Sequence, residues 1–430
     1  MNVLILGAAV SGTAAAHLAR RLGYGVEVYD GQVAALRALQ AEGFVVHSGP
    51  WTTHLLEDVD LVVTSPGIPE HAAPIVDTLS TAIPLWSEME FAARNLDAPY
   101  VAVTGTNGKT TVVEATAAML EQSGVKVCGA GNIGTALSSV VGEPWDVVVV
   151  EASSFQLRFV DSFHPVAAAL LNVAPDHLDW HGTEAAYAAA KARIYANQTR
   201  DDILVFDTND PGAVSAVADA AATMVPISGR GVASGGNGVD GDVVVIGEME
   251  LPRPNLDESF LVDLVAAGTV ARHVGATEAG IAEVMSAYGP GPHRRTIVGS
   301  WGGGTWVDDS KATNPHAAVA AASAYADVVL IAGGRNKGLD LGPLVAVPSV
   351  RHIVALGEAA ADLAAAAPDR VTTVDTMEAA VVAADGMAVV GSTVLLAHGC
   401  SSFDMYRSYG ERGDNFRRIV IYHKGGDDGK

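Results

Sequence analysis

Residues 102–111 read AVTGTNGKTT. A short apolar run, YVAV at 100–103, enters this stretch, and a helical run, TTVVEATAAMLEQSG at 110–124, leaves it. Strand, glycine turn, lysine, threonine, helix is the order of a phosphate-binding loop. The general spacing of such a loop is not met. Gly105 and Gly108 are three apart, and Val103 stands where the first glycine belongs. The local pattern therefore leaves two readings, a nucleotide site or a glycine turn that contains a lysine. On the first, backbone N–H groups over 106–109 face phosphate oxygens, Lys109 reaches the β- and γ-phosphates, and the Thr110 hydroxyl faces Mg²⁺.

The surroundings of this stretch set the fold class. Continuous apolar runs at 3–6, 61–64, 100–104, 147–150, 167–171 and 328–331 alternate with alanine-rich helical segments. Such runs read as parallel strands covered on both faces by helices, so the class is α/β. With 430 residues, about three domains are expected. A polar turn, NLDAP, precedes the strand at 100, and GPGP at 289–292 is dense in turn formers and reads as a hinge. The expected domains are 1–95, a Rossmann-like unit; 96–290, a central P-loop ATPase-like parallel sheet; and 291–430, a second Rossmann-like unit. The glycine-rich stretch SGRGVASGGNGVDGD at 228–242 reads as a surface loop.

Bulk composition excludes several functions. Basic residues number 26 and acidic residues 49, for a net charge of −23, which is unsuited to a nucleic-acid backbone. No uncharged apolar run approaches about 18 residues, so no membrane span is expected. The N-terminus runs directly into a strand without a basic leader. Two cysteines, Cys128 and Cys400, make neither a disulfide framework nor a metal spacing, which fits a reducing cytoplasm.

Further motifs carry chemistry. In VLILGAAVSGTAAAHLARRLGYGVEVYD (3–30), Gly7 and Gly12 bracket a strand-to-helix turn and Asp30 ends the next strand. This is close to a dinucleotide fingerprint, but Ala9 replaces the middle glycine. The turn is either ligand-free or holds an anionic nucleotide sugar at the free N–H groups near Val10 and Ser11. TSPGIP at 64–69, with Ser65 and Gly67, is the facing loop. AGNIG at 130–134 places Asn132 on a glycine-flanked loop. Glu151 follows a buried strand, where a bare carboxylate is costly unless paired or metal-bound. PDHLD at 175–179 and YAAAKARIY at 187–195 bring His177 and Lys191. Taken singly, His177 also fits a capping or core histidine, and Lys191 a snorkelling surface lysine.

Together these motifs resemble the Mur ligases. GTNGKT at 105–110 has that family's short glycine spacing, and Glu151, His177 and Lys191 follow in its order. WVDDSKATNPHA at 306–317, LIAGGRNKG at 330–338 and HGCSSFDMYRSYGERGDNF at 398–416 are similar to its D-glutamate-adding branch. The resemblance covers essentially the whole chain. It implies an ATP-dependent ligase that adds D-glutamate to UDP-N-acetylmuramoyl-L-alanine through an acyl phosphate, in cytoplasmic peptidoglycan precursor synthesis, working as a monomer.

Position by position, the resemblance implies that Gly105, Thr106, Asn107, Gly108, Lys109, Thr110 and Thr111 hold the ATP phosphates. Thr110, Glu151, His177 and a carbamylated Lys191 would hold two Mg²⁺ ions. Arg294, beside His293, and Asp309 would meet the nucleotide, and Lys311 the reacting phosphate. Val10, Ser11, Asp30, Ser65 and Gly67 would surround the UDP group, with Asn132 on the muramoyl side. Thr313, Lys337, Ser402 and Tyr409 would frame the glutamate. Catalysis would rest on Lys109, Lys191, His177 and Lys311. One stretch departs from the family. Where asparagines are implied to meet the adenine, LPRPNLDESFLVDLVAAGTVARHVG at 251–275 places Phe260 and Asp263. Three rival readings are another amino-acid ligase of this superfamily, a nucleotide-linked dehydrogenase, and a non-catalytic relative. DSKATN speaks against the first, Ala9 against the second, and the retained Lys109, Glu151, His177 and Lys191 against the third.

Overall fold

A computed structural model describes residues 1–132 and 134–425. The chain divides into two compact units, residues 1–173 with 180–288, and residues 174–179 with 289–430.

The first unit opens with a five-stranded parallel sheet. Its order is Val45–His47, Gly25–Tyr29, Asn2–Leu6, Leu61–Thr64, Leu85–Ser87. This is the Rossmann order, in which the first strand lies centrally and both neighbouring turns open on one sheet edge. Val3, Leu4, Ile5 and Leu6 are all buried, which is why the run is uninterruptedly apolar. The second sheet is six-stranded and parallel, in the order Thr223–Ile227, Ile203–Asp207, Ala167–Leu170, Tyr100–Thr104, Val147–Glu151, Val127–Gly131. The phosphate-loop strand Tyr100–Thr104 sits inside this sheet, between those that lead to residues 151 and 171. Helix Lys109–Gln122 packs on it with helix Glu258–His273, and Val112, Met119, Leu261, Leu264 and Val265 share one core. The same unit carries a small antiparallel sheet of Gly238–Asp240, Val243–Ile246 and Met249–Pro252.

That small sheet corrects the reading of 228–242 as a plain surface loop. Asn237 is 5% exposed. Its Nδ2 donates to Thr269 Oγ1 at 2.7 Å, and its Oδ1 accepts from Gly247 N at 2.7 Å. One buried asparagine thus ties the end of a glycine-rich stretch to helix Glu258–His273. Hydrophobic periodicity does not reveal such an anchor.

The second unit holds a six-stranded sheet, ordered Thr296–Trp301, Gly304–Asp308, Thr393–Gly399, Val328–Gly333, Val350–Leu356, Val371–Thr373. The first two strands form an antiparallel hairpin, and the other pairs are parallel. Helices cover both faces, and two separate cores result, one around Leu330 and Leu395 and the other around Trp306, Ile331 and Phe416. Residues 174–179 also belong to this unit.

Candidate active site

In the first unit, Gly108 caps helix Lys109–Gln122 at φ +85°, with no side-chain cap. A left-handed glycine here turns the chain from the loop into the helix, whose N-terminal end favours an anion. A Cβ on Gly108 would lie 2.4 Å from Asp263 Oδ1, so glycine is also required by contact. Asp263, one of the two departures from the family pattern, therefore has its buried carboxylate against the phosphate loop. Phe260, the other, is buried one turn away, 6.4 Å from the Tyr288 ring.

Two lysines converge on this loop. Lys109 Nζ donates to Gly105 O at 2.8 Å and to Thr106 O at 3.1 Å. Lys191 Nζ donates to the same Gly105 O at 2.6 Å. Lys191 lies in helix Glu184–Ala192 and is 1% exposed, so the surface-lysine alternative does not hold. The Tyr187 ring lies 4.6 Å from its Nζ, and the Tyr187 hydroxyl donates to Thr106 Oγ1 at 3.1 Å. Thr106 and Thr111 are buried, and Asn107 N donates to the Asn172 side chain at 2.8 Å. Thr110 is half-buried at the start of the helix.

Glu151 closes the next strand and is 3% exposed. Its Oε1 accepts from Asn132 Nδ2 at 3.0 Å, while Oε2 has no hydrogen-bond partner among the described residues. A buried carboxylate oxygen left over in this way suits a cation ligand. No group of three His, Cys, Asp or Glu side chains arranged for a metal occurs among the described residues. The donors at hand, one carboxylate, hydroxyls and lysines, suit Mg²⁺ only with phosphate or a carbamate adding oxygens.

At the N-terminal turn, Asp30 has both oxygens on backbone. Oδ2 accepts from Ala8 N and Oδ1 from Gln32 N, each at 2.8 Å. A Cβ on Gly12 would lie 1.9 Å from Gly7 O, so the helix starts in direct contact with the turn. Val10 is 67% exposed, Ser65 is buried beside Gly7 and Gly12, and Gly67 is exposed. A cleft of about 580 Å³ lies here, lined by Ala8, Ala9, Val10, Thr13, Arg21 and Ser138 among others.

In the second unit, Asp176, noted in the sequence beside His177 but given no role, is the centre of a cluster. Lys337 Nζ donates to its Oδ1 at 2.8 Å, Asn314 Nδ2 to its Oδ2 at 3.2 Å, and His177 N to its Oδ1 at 2.8 Å. Burial pushes the Asp176 carboxyl up, but the Lys337 ammonium, followed by His177, outweighs this and holds it below the usual carboxylate range. The signal was its place next to His177 in PDHLD; its partner 161 residues away had none. His177 itself stands at φ +53°.

Around DSKATN, Lys311 Nζ sits 4.1 Å from the centre of the Tyr409 ring. Ser310 Oγ donates to Tyr409 O at 2.8 Å. Beneath them Arg412 is fully buried and donates to Ser310 Oγ, Ser310 O and Cys400 O. Burial brings its pKa down to about 10, which leaves it charged. Arg412 thereby ties the DSKATN loop to the loop that bears Ser402. Ser402 is buried and its carbonyl accepts from Tyr406 N at 2.8 Å. Thr313 is half-buried next to Asn314, which caps helix Pro315–Ser323. Asp309 faces Arg295, with Arg295 Nε to Asp309 Oδ2 at 3.7 Å.

Comparison with known proteins agrees with this construction. Residues 103–234 match the Mur ligase middle domain, residues 293–399 the Mur ligase, glutamate ligase domain, and residues 1–82 the alanine dehydrogenase/PNT C-terminal domain. A UDP-N-acetylmuramoylalanine–D-glutamate ligase of Frankia casuarinae is 41% identical over 99% of this chain and 95% of its own length. One from Shouchella clausii is 40% identical over 97% of this chain and 96% of its own. Among solved structures, a MurF ligase from Thermotoga maritima in complex with ADP has a TM-score of 0.60 at 15% identity, covering 94% of this chain and 96% of that one. A pseudomurein peptide ligase type C from Methanothermus fervidus also has a TM-score of 0.60 at 15% identity, over 98% and 100%. The chain belongs to the Mur ligase family, ATP-dependent enzymes that form amide bonds. Within that family it falls in the D-glutamate-adding branch.

Proposed function

We propose that the chain joins D-glutamate to UDP-N-acetylmuramoyl-L-alanine at the expense of ATP, supplying a cell-wall precursor. The observation that carries this reading is the phosphate loop, with Lys109 and Lys191 on one carbonyl and Glu151 in the same unit. The 41% identity to a ligase of that name supports the substrates.

The L-alanine carboxylate attacks the γ-phosphorus of ATP, the bond to the ADP oxygen breaks, and an acyl phosphate forms. The D-glutamate amine then attacks the acyl carbon, the C–O bond to phosphate breaks, and the amine proton is lost. Lys109 and the N–H groups of residues 106–109 hold the phosphates, and Lys311 meets the transferred one. These cations offset repulsion between two anions, the main barrier in such a step. Arg294 and Asp309 meet the nucleotide. Lys337 receives a glutamate carboxylate, with Thr313, Ser402 and Tyr409 around it. Val10, Ser11, Asp30, Ser65 and Gly67 surround the UDP group, and Asn132 lies toward the muramoyl side.

Thr110, Glu151, His177 and a carbamylated Lys191 would hold two Mg²⁺ ions, which supply further neutralisation of phosphate charge. Carbamylation turns the Lys191 amine from a donor into an oxygen ligand; the burial of Lys191 and its position at Gly105 support this. The division 1–95, 96–290 and 291–430, a monomeric state and a cytoplasmic location belong to the same reading. No described helix is long and apolar enough to cross a membrane.

The acyl phosphate route is tested with UDP-N-acetylmuramoyl-L-alanine labelled with ¹⁸O in its carboxylate. Transfer of one ¹⁸O atom to inorganic phosphate is expected, and phosphate free of label would exclude the route.

A further inference from the structure

Residues 293–295 are folded against residues 308–311 in an unusual way. His293 and Arg295 both stand in the left-handed region, at φ 60° and 51°, where residues with a Cβ are disfavoured. Both face consecutive aspartates of the next hairpin. His293 Nδ1 lies 2.7 Å from Asp308 Oδ2 and Arg295 Nε 3.7 Å from Asp309 Oδ2. Lys311 N donates to His293 O at 3.1 Å, which closes the clasp through backbone. A Cβ on Gly413 would lie 2.2 Å from His293 Nδ1, so helix Tyr409–Gly425 packs closely on it. The side chains of Arg295 and Asp309 are each 10% exposed.

The backbone of Asp309 is already fixed, because its N–H donates to Leu396 O at 2.8 Å. The orientation of its carboxylate is not fixed by that bond. A carboxylate this buried is costly without polar partners, and the Arg295 guanidinium is one of those beside it. We infer that Arg295 is a positioning residue for the nucleotide, acting through Asp309. It holds that carboxylate turned so that it accepts hydrogen bonds from hydroxyl donors such as a ribose diol. The two left-handed residues, His293 and Arg295 on either side of Arg294 in the sequence, fit this role, since their side chains face Asp308 and Asp309. The inference rests on the reading that Asp309 meets the nucleotide.

The test compares R295Q, R295K, D309N and R295Q/D309N in the full chain, with KM for ATP, KM for D-glutamate and kcat measured. R295Q keeps length and hydrogen bonding without charge. It is expected to raise KM for ATP on the order of tenfold, with kcat and the glutamate KM within about twofold. R295K should recover most of the loss. The double variant should be no worse than D309N, because both changes disable one carboxylate. An unchanged KM for ATP in R295Q overturns the inference. So does a loss that spreads over both KM values and kcat and adds in full to that of D309N, as a general structural role would produce. If D309N itself leaves KM for ATP unchanged, the role of Asp309 falls and the inference with it. If D309N raises it and R295Q does not, only the inference falls.

Discussion

Lys191 places an amine where water hardly reaches, 2.6 Å from the carbonyl of Gly105 and beside the Tyr187 ring. Lys191→Ala is expected to lower turnover by at least about a hundredfold, with no recovery under raised CO₂. Near-normal turnover would remove the residue from the mechanism. Glu151→Gln should act similarly but through metal, with a raised Mg²⁺ requirement measured as the concentration for half-maximal rate. The resemblance singles out Lys191 by its order after Glu151 and His177; its burial was not legible. YAAAKA has small residues on every face of the helix, so no apolar stripe shows which side is covered. Asp176 was visible beside His177, but a contact with Lys337 leaves no local trace. Asp263 was noticed only as a departure; its approach to Gly108 depends on how two helices far apart in sequence pack.

At the scale of elements, the strand–loop–helix unit around Gly108 was the most legible part, because a glycine turn between a buried strand and a helix has few alternatives. Gly108→Ala faces a left-handed backbone, costing roughly 1–2 kcal/mol, and a clash with Asp263. It should weaken ATP binding by more than about tenfold and lower Tm; Gly108→Ala/Asp263→Ala should recover part of the Tm loss but leave the backbone cost. Helix Glu88–Ala93 offers a pH test. Glu88 is fully buried; its Oε1 accepts from Ser138 N at 2.6 Å, and its Oε2 has no hydrogen-bond partner among the described residues. Burial pushes the carboxyl up, and Ser138 only partly offsets this. The folded state therefore binds the proton more tightly than the unfolded state. Stability from this group is fullest below about pH 4.3, the unfolded value, and declines as pH rises toward the folded one. Glu88→Gln should be more stable than the parent at pH 8 by about 1 kcal/mol and nearly equal at pH 4, read by denaturant midpoints. Equal midpoints at both values would contradict this.

Over the whole molecule, the α/β class and the parallel sheets followed from apolar runs separated by helices. The strands observed at Leu61–Thr64 and Tyr100–Thr104 coincide with those runs. The small antiparallel sheet was not legible, because glycine-rich sequence gives no periodicity and its anchor is one asparagine. With a net charge of −23, an enzyme that gathers two nucleotides and an acidic amino acid must rely on local cations. On the proposed reading Lys109, Lys311 and Lys337 are those cations, and each has a carbonyl, ring or carboxylate close by. The most direct test of the account offers UDP-N-acetylmuramoyl-L-alanine, ATP and either D- or L-glutamate to the purified chain, and follows product, ADP and phosphate together. The account predicts one amide, one ADP and one phosphate per turnover with D-glutamate and little with L-glutamate. No product with D-glutamate, or product without ADP release, would contradict it.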